Sequence, residues 1–142
     1  MATRLQVTFD AADPPALAAF WGELISYVEQ DPPEGFDSWE AWAVANDVPR
    51  EHWGDYAARV DPDGPRLYFQ RVPEPKTAKN RVHLDLAVSG GRGTPPEELR
   101  RNVAAAVERA VAAGATKLRE VDEGGEHWVV LQDPEGNEFC MH

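Results

Sequence analysis

The sequence predicts an α+β fold that contains two copies of a βαβββ module. In each half of the chain, an alternating apolar segment is followed by a helix that starts near consecutive prolines. An Asp-Pro-acid-Gly turn precedes a short alternating strand at Asp61–Gly64 and again at Asp133–Gly136. The 142 residues are enough for one domain that buries a core of its own. An internal repeat of this kind indicates a duplicated architecture.

Module one is predicted over residues 1–72. Arg4–Asp10 alternates between apolar and polar residues, which is typical of a half-buried strand. Asp13 can cap a helix, and the two prolines after it suit the first turn. The apolar face of this helix is formed at helical spacing by Leu17, Phe20, Trp21 and Leu24. Two further strands of this module are predicted at Tyr27–Gln30 and Arg66–Val72.

Module two is predicted over residues 81–142 and repeats this order. Arg81–Val88 alternates as the first strand does. Thr94 and Glu97 have the spacing of a capping box, which predicts the start of the second helix, and Gly114 is expected to end it. The remaining strands are predicted at Lys117–Val121, His127–Gln132 and Asn137–His142.

Two segments have no counterpart in the repeat. Residues 73–80 contain proline and lysine and are predicted to link the modules. Residues 31–59 are too long for a hairpin and are rich in aromatic side chains, so they form an insertion in module one. Trp39 and Trp42 lie one turn apart on a predicted short helix and share a face. The insertion is therefore either a lid over a ligand, or a satellite core or dimer contact.

Strand alternation selects the candidate ligand-binding residues. A strand that packs its apolar side on a helix turns its other side elsewhere. Applied to the first and last strand of each module, this rule selects Gln6, Thr8, Tyr68, Gln70, His83, Asp85, Glu138 and Cys140. Trp39 and Trp42 of the insertion join this set. Cysteine, tyrosine and histidine are uncommon on fully exposed faces, so we expect a curved mixed sheet around a partly buried cavity.

His83, Asp85 and Cys140 admit two catalytic interpretations. A thiolate beside an imidazole forms a nucleophile–base pair, and a His-Asp pair on one strand face forms an acid–base dyad. Each has a structural alternative, since a buried cysteine often acts as a small apolar residue and a histidine can simply be hydrogen-bonded. The sequence has no phosphate loop, dinucleotide fingerprint or Gly-x-Ser-x-Gly motif.

Charge and cysteine content limit the partners and the compartment. The formal net charge of −11, from 14 basic and 25 acidic residues, disfavours nucleic acid and anionic membranes as partners. Cys140 is the only cysteine, so no disulfide can form within the chain, which favours the cytoplasm. The first residues lack the pattern of a signal peptide, and no apolar segment approaches the length of a membrane span.

Six stretches that span nearly the whole chain carry a family resemblance, namely Asp13–Trp21, Phe36–Trp42, Val60–Gly64, Leu67–Val72, Lys79–Leu86 and His127–Cys140. They resemble the vicinal-oxygen-chelate superfamily, which includes glyoxalases, bleomycin-resistance proteins and extradiol dioxygenases. They are most similar to its glyoxalase-like subgroup. The resemblance implies the repeated βαβββ plan, a cavity for a small molecule and a homodimer.

In metal-using members of that superfamily, side chains on the first and last strand of each module hold a divalent ion. Carried over by position, the ligands fall on Gln6, His83 and Cys140. The resemblance implies a glutamate at the position of Cys140, and Glu138, two residues earlier on the same face, could replace it only with a shift in geometry. The matching position on the last strand of module one is Tyr68 or Gln70, and neither is a carboxylate. Hard divalent ions favour carboxylates, so no metal cofactor is favoured, although zinc would suit the His83 and Cys140 donors.

The resemblance and the candidate residues together predict a small-molecule-binding protein. It is expected to act by sequestration, or as a metal-independent enzyme on a small organic ligand. The alternatives are a metal-dependent lyase, isomerase or dioxygenase, and a structural homodimer without a ligand. The scaffold does not identify the ligand, because members of the superfamily share one fold and differ in chemistry.

Overall fold

The computed structural model describes residues 3–142 and confirms the predicted α+β plan of two βαβββ modules. The chain divides into two compact units, of which the first ends at Pro75 and the second begins at Lys76. Each unit contains one four-stranded mixed sheet. Among the described residues, no helix is both long enough and apolar enough to cross a membrane.

The sheet of module one contains the first four strands of the chain. These are β1 (Gln6–Ala11), β2 (Val28–Glu29), β3 (Tyr56–Val60) and β4 (Arg66–Arg71). Their spatial order is β1-β4-β3-β2, with β1 parallel to β4 and the other neighbours antiparallel. Helix α1 (Pro14–Ile25) follows β1 and begins the long connection that a parallel strand pair requires.

Helix α1 and one side of this sheet form the core of module one. As predicted, Asp13 caps the helix, and its Oδ1 accepts a hydrogen bond from the Ala16 amide at 3.1 Å. The ring of Phe9 lies 5.0 Å from that of Phe69 and 5.3 Å from that of Trp21. Phe69 is 0 % exposed and Trp21 is 1 % exposed, so β1 and β4 turn their apolar sides towards α1.

The insertion of module one ends earlier than predicted, because β3 begins at Tyr56 inside the segment 31–59. It contains helix α2 (Trp39–Ala45) and a short 3-10 helix at Arg50–His52. Ser38 caps α2, and its hydroxyl oxygen accepts a hydrogen bond from a first-turn amide at 3.0 Å. The aromatic residues of the segment therefore divide between the insertion and the sheet.

The sheet of module two repeats the topology. Its strands are β5 (Leu84–Leu86), β6 (Thr116–Glu123), β7 (Glu126–Gln132) and β8 (Glu138–Met141). Their order is β5-β8-β7-β6, and β5 runs parallel to β8. Helix α3 (Pro96–Ala113) packs on β7 and β8. Val103, Leu131 and Phe139 are each 0 % exposed and belong to this core.

Two boundaries of module two differ from the prediction. Pro95 occupies the N-cap of α3 without a side-chain hydrogen bond, and the Thr94 hydroxyl instead donates to the Gly91 carbonyl at 2.7 Å. The predicted capping box is therefore wrong, because the N-cap is Pro95 rather than Thr94 and the helix begins one residue later than predicted. β5 covers three residues rather than Arg81–Val88, since its partner β8 is only four residues long. Gly114 ends α3 as predicted, with φ of 120°.

The repeated Asp-Pro-acid-Gly turn has one side-chain hydrogen bond in common between the two modules, from the amide of the acidic residue to the first aspartate. Asp61 Oδ1 accepts a hydrogen bond from the Asp63 amide at 2.9 Å. Asp133 Oδ1 accepts from the amides of Glu135 and Asn137 at 2.9 and 3.0 Å. Side-chain bonds of this type fix the turn, which then leads into the last strand of each module.

Candidate functional site

The last strands confirm the predicted alternation. Their residues on the helix side are at most 2 % exposed, namely Leu67, Phe69, Phe139 and Met141. The residues that alternate with them are half-buried, namely Tyr68, Gln70, Glu138 and Cys140. The candidate residues of the first strands are exposed, namely Gln6, Thr8, His83 and Asp85. We call the sides turned away from α1 and α3 the module-one face and the module-two face.

Arg66, which is not among the predicted site residues, organises the module-one face. Its Nη1 donates to Gln6 Oε1 at 2.7 Å, and its Nε donates to Gln30 Oε1 at 2.6 Å. Its Cζ lies 4.7 Å from the centroid of the Tyr68 ring, a cation–π contact. Gln6 Nε2 in turn donates to Thr8 Oγ1 at 3.2 Å. Two amides and one ring thus fix the position of the guanidinium.

The tyrosines of this face form an aromatic pair beside Arg66. The rings of Tyr56 and Tyr68 stack at 5.9 Å with an interplanar angle of 16°. Burial and the neighbouring Tyr56 raise the pKa of Tyr68, and together they outweigh the opposite effect of Arg66. Tyr68 therefore keeps its proton at neutral pH and can donate a hydrogen bond. Farther along the face, Gln70 Nε2 donates to Asp10 Oδ1 at 2.8 Å.

The insertion joins the module-one face through Gln30. Trp39 Nε1 donates to the Gln30 carbonyl at 2.6 Å, while the Gln30 side chain accepts from Arg66. The rings of Trp39 and Trp42 pack edge to face, with centroids 5.7 Å apart. Trp39 remains 38 % exposed, which is high for a core tryptophan. The tryptophan pair is thus tied to the same residue that positions Arg66.

Three predicted residues converge on the module-two face. One ligand atom of each of His83, Asp85 and Cys140 lies within 4.8 Å of the other two. His83 Nδ1 is 2.9 Å from Asp85 Oδ1, and Asp85 lies opposite Cys140 in the strand register. Burial, the charge of Asp85 and a hydrogen bond to Asp85 raise the pKa of the Cys140 thiol.

This arrangement separates the two catalytic interpretations. The raised pKa keeps Cys140 protonated at neutral pH, and a thiol is a weak nucleophile compared with a thiolate. The imidazole of His83 is bonded to Asp85. The geometry therefore contains the predicted His-Asp pair but opposes an activated Cys-His pair.

Glu138 does not join this trio. Its carboxylate forms an ion pair with Lys79, and the hydrogen bond from Lys79 lowers the pKa of Glu138. Glu138 is therefore a charged residue with a partner of its own, next to the face but outside the cluster.

The predicted metal set does not fit a divalent ion. The one oxygen that Gln6 could offer accepts a hydrogen bond from Arg66, and a second cation there would be repelled. Glu138 is already paired with Lys79. In contrast, His83, Asp85 and Cys140 offer the nitrogen, oxygen and sulfur donors that zinc accepts. Within the predicted ligand set, zinc chemistry is therefore supported at the module-two face, by His83 and Cys140 together with Asp85.

A second polar cluster, on the helix side of module two, was not predicted. His127 is 8 % exposed, and its Nδ1 lies 3.1 Å from Asp122 Oδ1 and 3.2 Å from Arg100 Nη1. Arg100 Nη2 also lies 2.6 Å from Asp122 Oδ1. Alternation along β7 places His127 and Trp128 on opposite sides, but it does not say which side each one takes.

His127 also lines a cavity of about 480 Å³ between α3, β6 and β7. The remaining lining residues are Ala104, Val107, Glu108, Val111, Ala112, Lys117, Glu120 and Val129. The apolar spacing of α3 predicted a helix packed on a sheet, but a gap beneath a helix has no sequence signal.

The family model described as glyoxalase-like domain matches residues 6–142 of the chain. A comparison with curated protein sequences gave no match. The matched segment includes every predicted site residue and both modules, apart from the first residues of module one.

Solved structures share the fold. A glyoxalase/bleomycin resistance protein/dioxygenase family enzyme from Burkholderia phytofirmans PsJN aligns with a TM-score of 0.63 and 21 % identity, covering 99 % of this chain and 97 % of that chain. The fosfomycin resistance protein FosX from Listeria monocytogenes, complexed with Mn(II) and 1S,2S-dihydroxypropylphosphonic acid, aligns with a TM-score of 0.62 and 12 % identity, covering 100 % and 90 %. TioX from Micromonospora sp. ML1 aligns with a TM-score of 0.54 and 16 % identity, covering 99 % and 97 %.

Proposed function

The chain belongs to the glyoxalase-like domain family, and from this premise we propose that it binds a small organic ligand, which it sequesters or transforms without a metal. One observation carries the proposal. The module-one face presents a fixed guanidinium, an aromatic pair and amide groups on the sheet side opposite α1. Ligand sites combine apolar and aromatic walls with a few fixed polar groups in this way.

The insertion supports the same proposal. Trp39 and Trp42 belong to the one segment that module two lacks, and Trp39 is bonded to Gln30 beside Arg66. We propose that the pair contributes apolar contacts to a bound ligand. The tryptophans combine large apolar area with few rotatable bonds, which suits them as anchors.

The structural neighbours support binding of a small molecule as a class. FosX was crystallised with a phosphonic acid, a compound of a few carbon atoms. At 12 % identity the likeness concerns the fold, so the ligand of FosX is not transferred to this chain.

A ligand screen by thermal shift tests the proposal. Small organic molecules that bind the folded chain should raise its melting temperature, and titration then gives their affinities. Thr8→Trp fills the module-one face opposite Tyr68 and should weaken binding at least tenfold. Thr116→Trp makes the same change on the edge strand β6 and should leave affinity unchanged. Absence of any binder, or equal affinity in Thr8→Trp, overturns the proposal.

A zinc-dependent function is the second candidate, and the convergence of His83, Asp85 and Cys140 favours it. These residues would hold the ion, which would supply a Lewis acid at the module-two face. The leading proposal predicts that the protein purifies without stoichiometric metal. Elemental analysis that finds about one zinc per chain, lost in His83→Ala and kept in His52→Ala, would make this second candidate the leading one.

We also propose that two chains associate as a homodimer, and the superfamily resemblance supports this. Analytical ultracentrifugation should show a species of twice the mass of one chain. A single-chain mass at high micromolar concentration contradicts the proposal.

A further inference from the structure

Arg66 differs from other arginines of the same sheet in the charge of its partners. Arg59 and Arg71 lie 3.7 and 2.9 Å from carboxylate oxygens. Among residues 3–142, no carboxylate lies within 4.0 Å of Arg66, whose partners are the neutral amides of Gln6 and Gln30. The chain has 25 acidic residues against 14 basic ones, so carboxylates are in excess, yet in the described part of the chain none lies within ion-pair distance of Arg66.

The guanidinium of Arg66 is also held in place without a ligand. Nε and Nη1 donate to the two amide oxygens, and the Tyr68 ring packs against Cζ. Among the described residues, Nη2 has no hydrogen-bond partner. A side chain that is already ordered loses little conformational entropy when a ligand binds, so each new hydrogen bond contributes more to affinity.

The carboxylate that shares this face does not reach Arg66. Asp10 accepts a hydrogen bond from Gln70 at 2.8 Å, and it lies opposite Gln70 at the far end of the β1–β4 ladder from Arg66. Next to Arg66, the face continues as the aromatic pair, in which Tyr56 is 61 % exposed. A fixed cation and an accessible aromatic surface therefore lie side by side.

We propose that Arg66 binds the carboxylate of a small organic acid, and that the apolar part of this acid contacts Tyr68 and Tyr56. Arginine N–H groups match the geometry of carboxylate oxygens, and a partly buried pair is stronger than an exposed one. The aromatic pair supplies the apolar contact that a free inorganic anion would leave unused. This inference rests on the proposed function and assigns its ligand class.

The test compares acids with neutral amides of the same shape. Benzoate, phenylacetate and hexanoate are titrated against benzamide, phenylacetamide and hexanamide by two-dimensional NMR of the full chain. A hydrogen-bonded charge pair predicts that at least one acid binds about tenfold or more tightly than its amide. Shifts should include the amides of β1 and β4.

Two variants with the same charge change distinguish Arg66 from a general charge effect. Arg66→Gln should weaken acid binding about tenfold or more and change amide binding less than twofold. Arg71 lies on the same strand as Arg66 but on the opposite side of the sheet, where it is paired with Asp55. The variant Arg71→Gln removes this pair and should leave acid binding unchanged. Arg66→Lys keeps the charge without the planar fork and should give intermediate affinity, which provides a folded variant if Arg66→Gln is unstable.

The outcomes separate the two levels of the proposal. Neutral ligands that bind as tightly as the acids, with no effect of Arg66→Gln, overturn the acid assignment and leave the proposed function standing. Failure of every compound in the wider screen overturns the proposed function and the assignment together. Dissociation of an oligomer by Arg66→Gln, with acid binding unchanged, identifies Arg66 as an interface residue and also overturns the assignment.

Discussion

The two modules share one topology and carry different chemistry on equivalent positions. In module one the first and last strands present Gln6, Arg66 and Tyr68, whereas in module two the cluster is His83, Asp85 and Cys140. The sides that pack on the helices are alike, since Phe69 and Phe139 are both 0 % exposed. The comparison teaches that the same apolar alternation on the helix side supports the same fold in both modules, while the side chains turned away from α1 and α3 differ between them.

The modules also differ in the connection between their second and third strands. β2 and β3 are separated by the insertion that carries Trp39, whereas β6 and β7 are joined by Gly124 and Gly125, both with positive φ. A tight glycine turn continues the hairpin and allows long strands. An insertion at the same place shortens β2 to two residues and adds an aromatic surface.

The largest expected effect tests whether the two cores are equivalent. Phe69→Ala and Phe139→Ala each remove a fully buried ring from a last strand, so each should lower the free energy of unfolding by about 3–5 kcal/mol. Chemical denaturation of both variants measures this. A loss below about 1 kcal/mol in one of them would show that its core tolerates a cavity and would break the equivalence.

The next largest effect is on ligand affinity and concerns the pair of Trp39 and Trp42, which belongs to module one. Trp42→Ala should weaken ligand binding by about 1–3 kcal/mol, the range of a buried aromatic anchor, and leave folding largely intact. Trp128→Ala in module two is the matched control and should not change affinity. Thermal-shift curves with and without ligand measure both quantities. If Trp42→Ala lowers the melting temperature by about 10 °C with unchanged affinity, Trp42 is a core residue.

Acid should affect module two first. The hydrogen bond from Lys117 lowers the pKa of Glu120, and bonds from Arg100 and His127 lower that of Asp122 although burial acts in the opposite direction. Both carboxyl groups have a lower pKa in the folded chain than their ordinary values of 4.5 and 3.8, so their charged forms stabilise the fold at pH values above these. This contribution is lost as the pH falls through the lowered pKa values. As the pH is lowered, hydrogen exchange should show that β6 and β7 lose protection before the strands of module one. Loss of protection in both modules at the same pH would contradict this prediction.

Alkali should destabilise module one through two of its tyrosines. Burial raises the pKa of both Tyr27 and Tyr68, so folding favours their protonated forms. The contribution of the two protonated tyrosines to stability is complete below their ordinary pKa of 10.0. It is lost as the pH rises through their raised pKa values. Tyrosine absorbance should report ionisation together with the loss of protection in β3 and β4. In Tyr27→Phe this loss should begin at higher pH, and an unchanged onset would exclude Tyr27 as a cause.

The smallest effect concerns Cys140. Because Asp85 raises the pKa of the thiol, Asp85→Asn should lower it and speed alkylation by iodoacetamide about two- to tenfold at neutral pH. Glu126→Gln removes a charge at the exposed end of β7 and serves as the control. An unchanged rate in Asp85→Asn would show that burial alone sets the reactivity of Cys140.

The sequence predicted what depends on neighbours along the chain. The Asp13 cap, the alternation of β4 and β8 and both Asp-Pro-acid-Gly turns follow from local rules, and the structure confirms them. The capping box at Thr94 failed because two local signals competed, and the prolines decided the helix start. Local rules succeed where a single preference acts.

The organisation of the module-one face could not be predicted in the same way. Arg66 bonds to Gln6 and to Gln30, residues that are 60 and 36 positions away along the chain. Alternation placed Gln6 on this face but gave no information on which side chains would meet across strands. The convergence of Asp85 with Cys140 likewise depends on the register of β5 and β8, which no pattern within either strand specifies.

The parallel pairing of β1 with β4, and of β5 with β8, has a consequence for synthesis of the chain. The first strand of each module can pair only after the last strand has left the ribosome, because the register joins Gln6 to Arg66 and Leu84 to Phe139. Such non-local strand pairs form slowly, because the entropy cost of closing a long loop must be met before any hydrogen bond between the two strands forms. A nascent chain that stops before β4 or β8 therefore exposes two unpaired strand edges, and each module is complete only when its final strand docks.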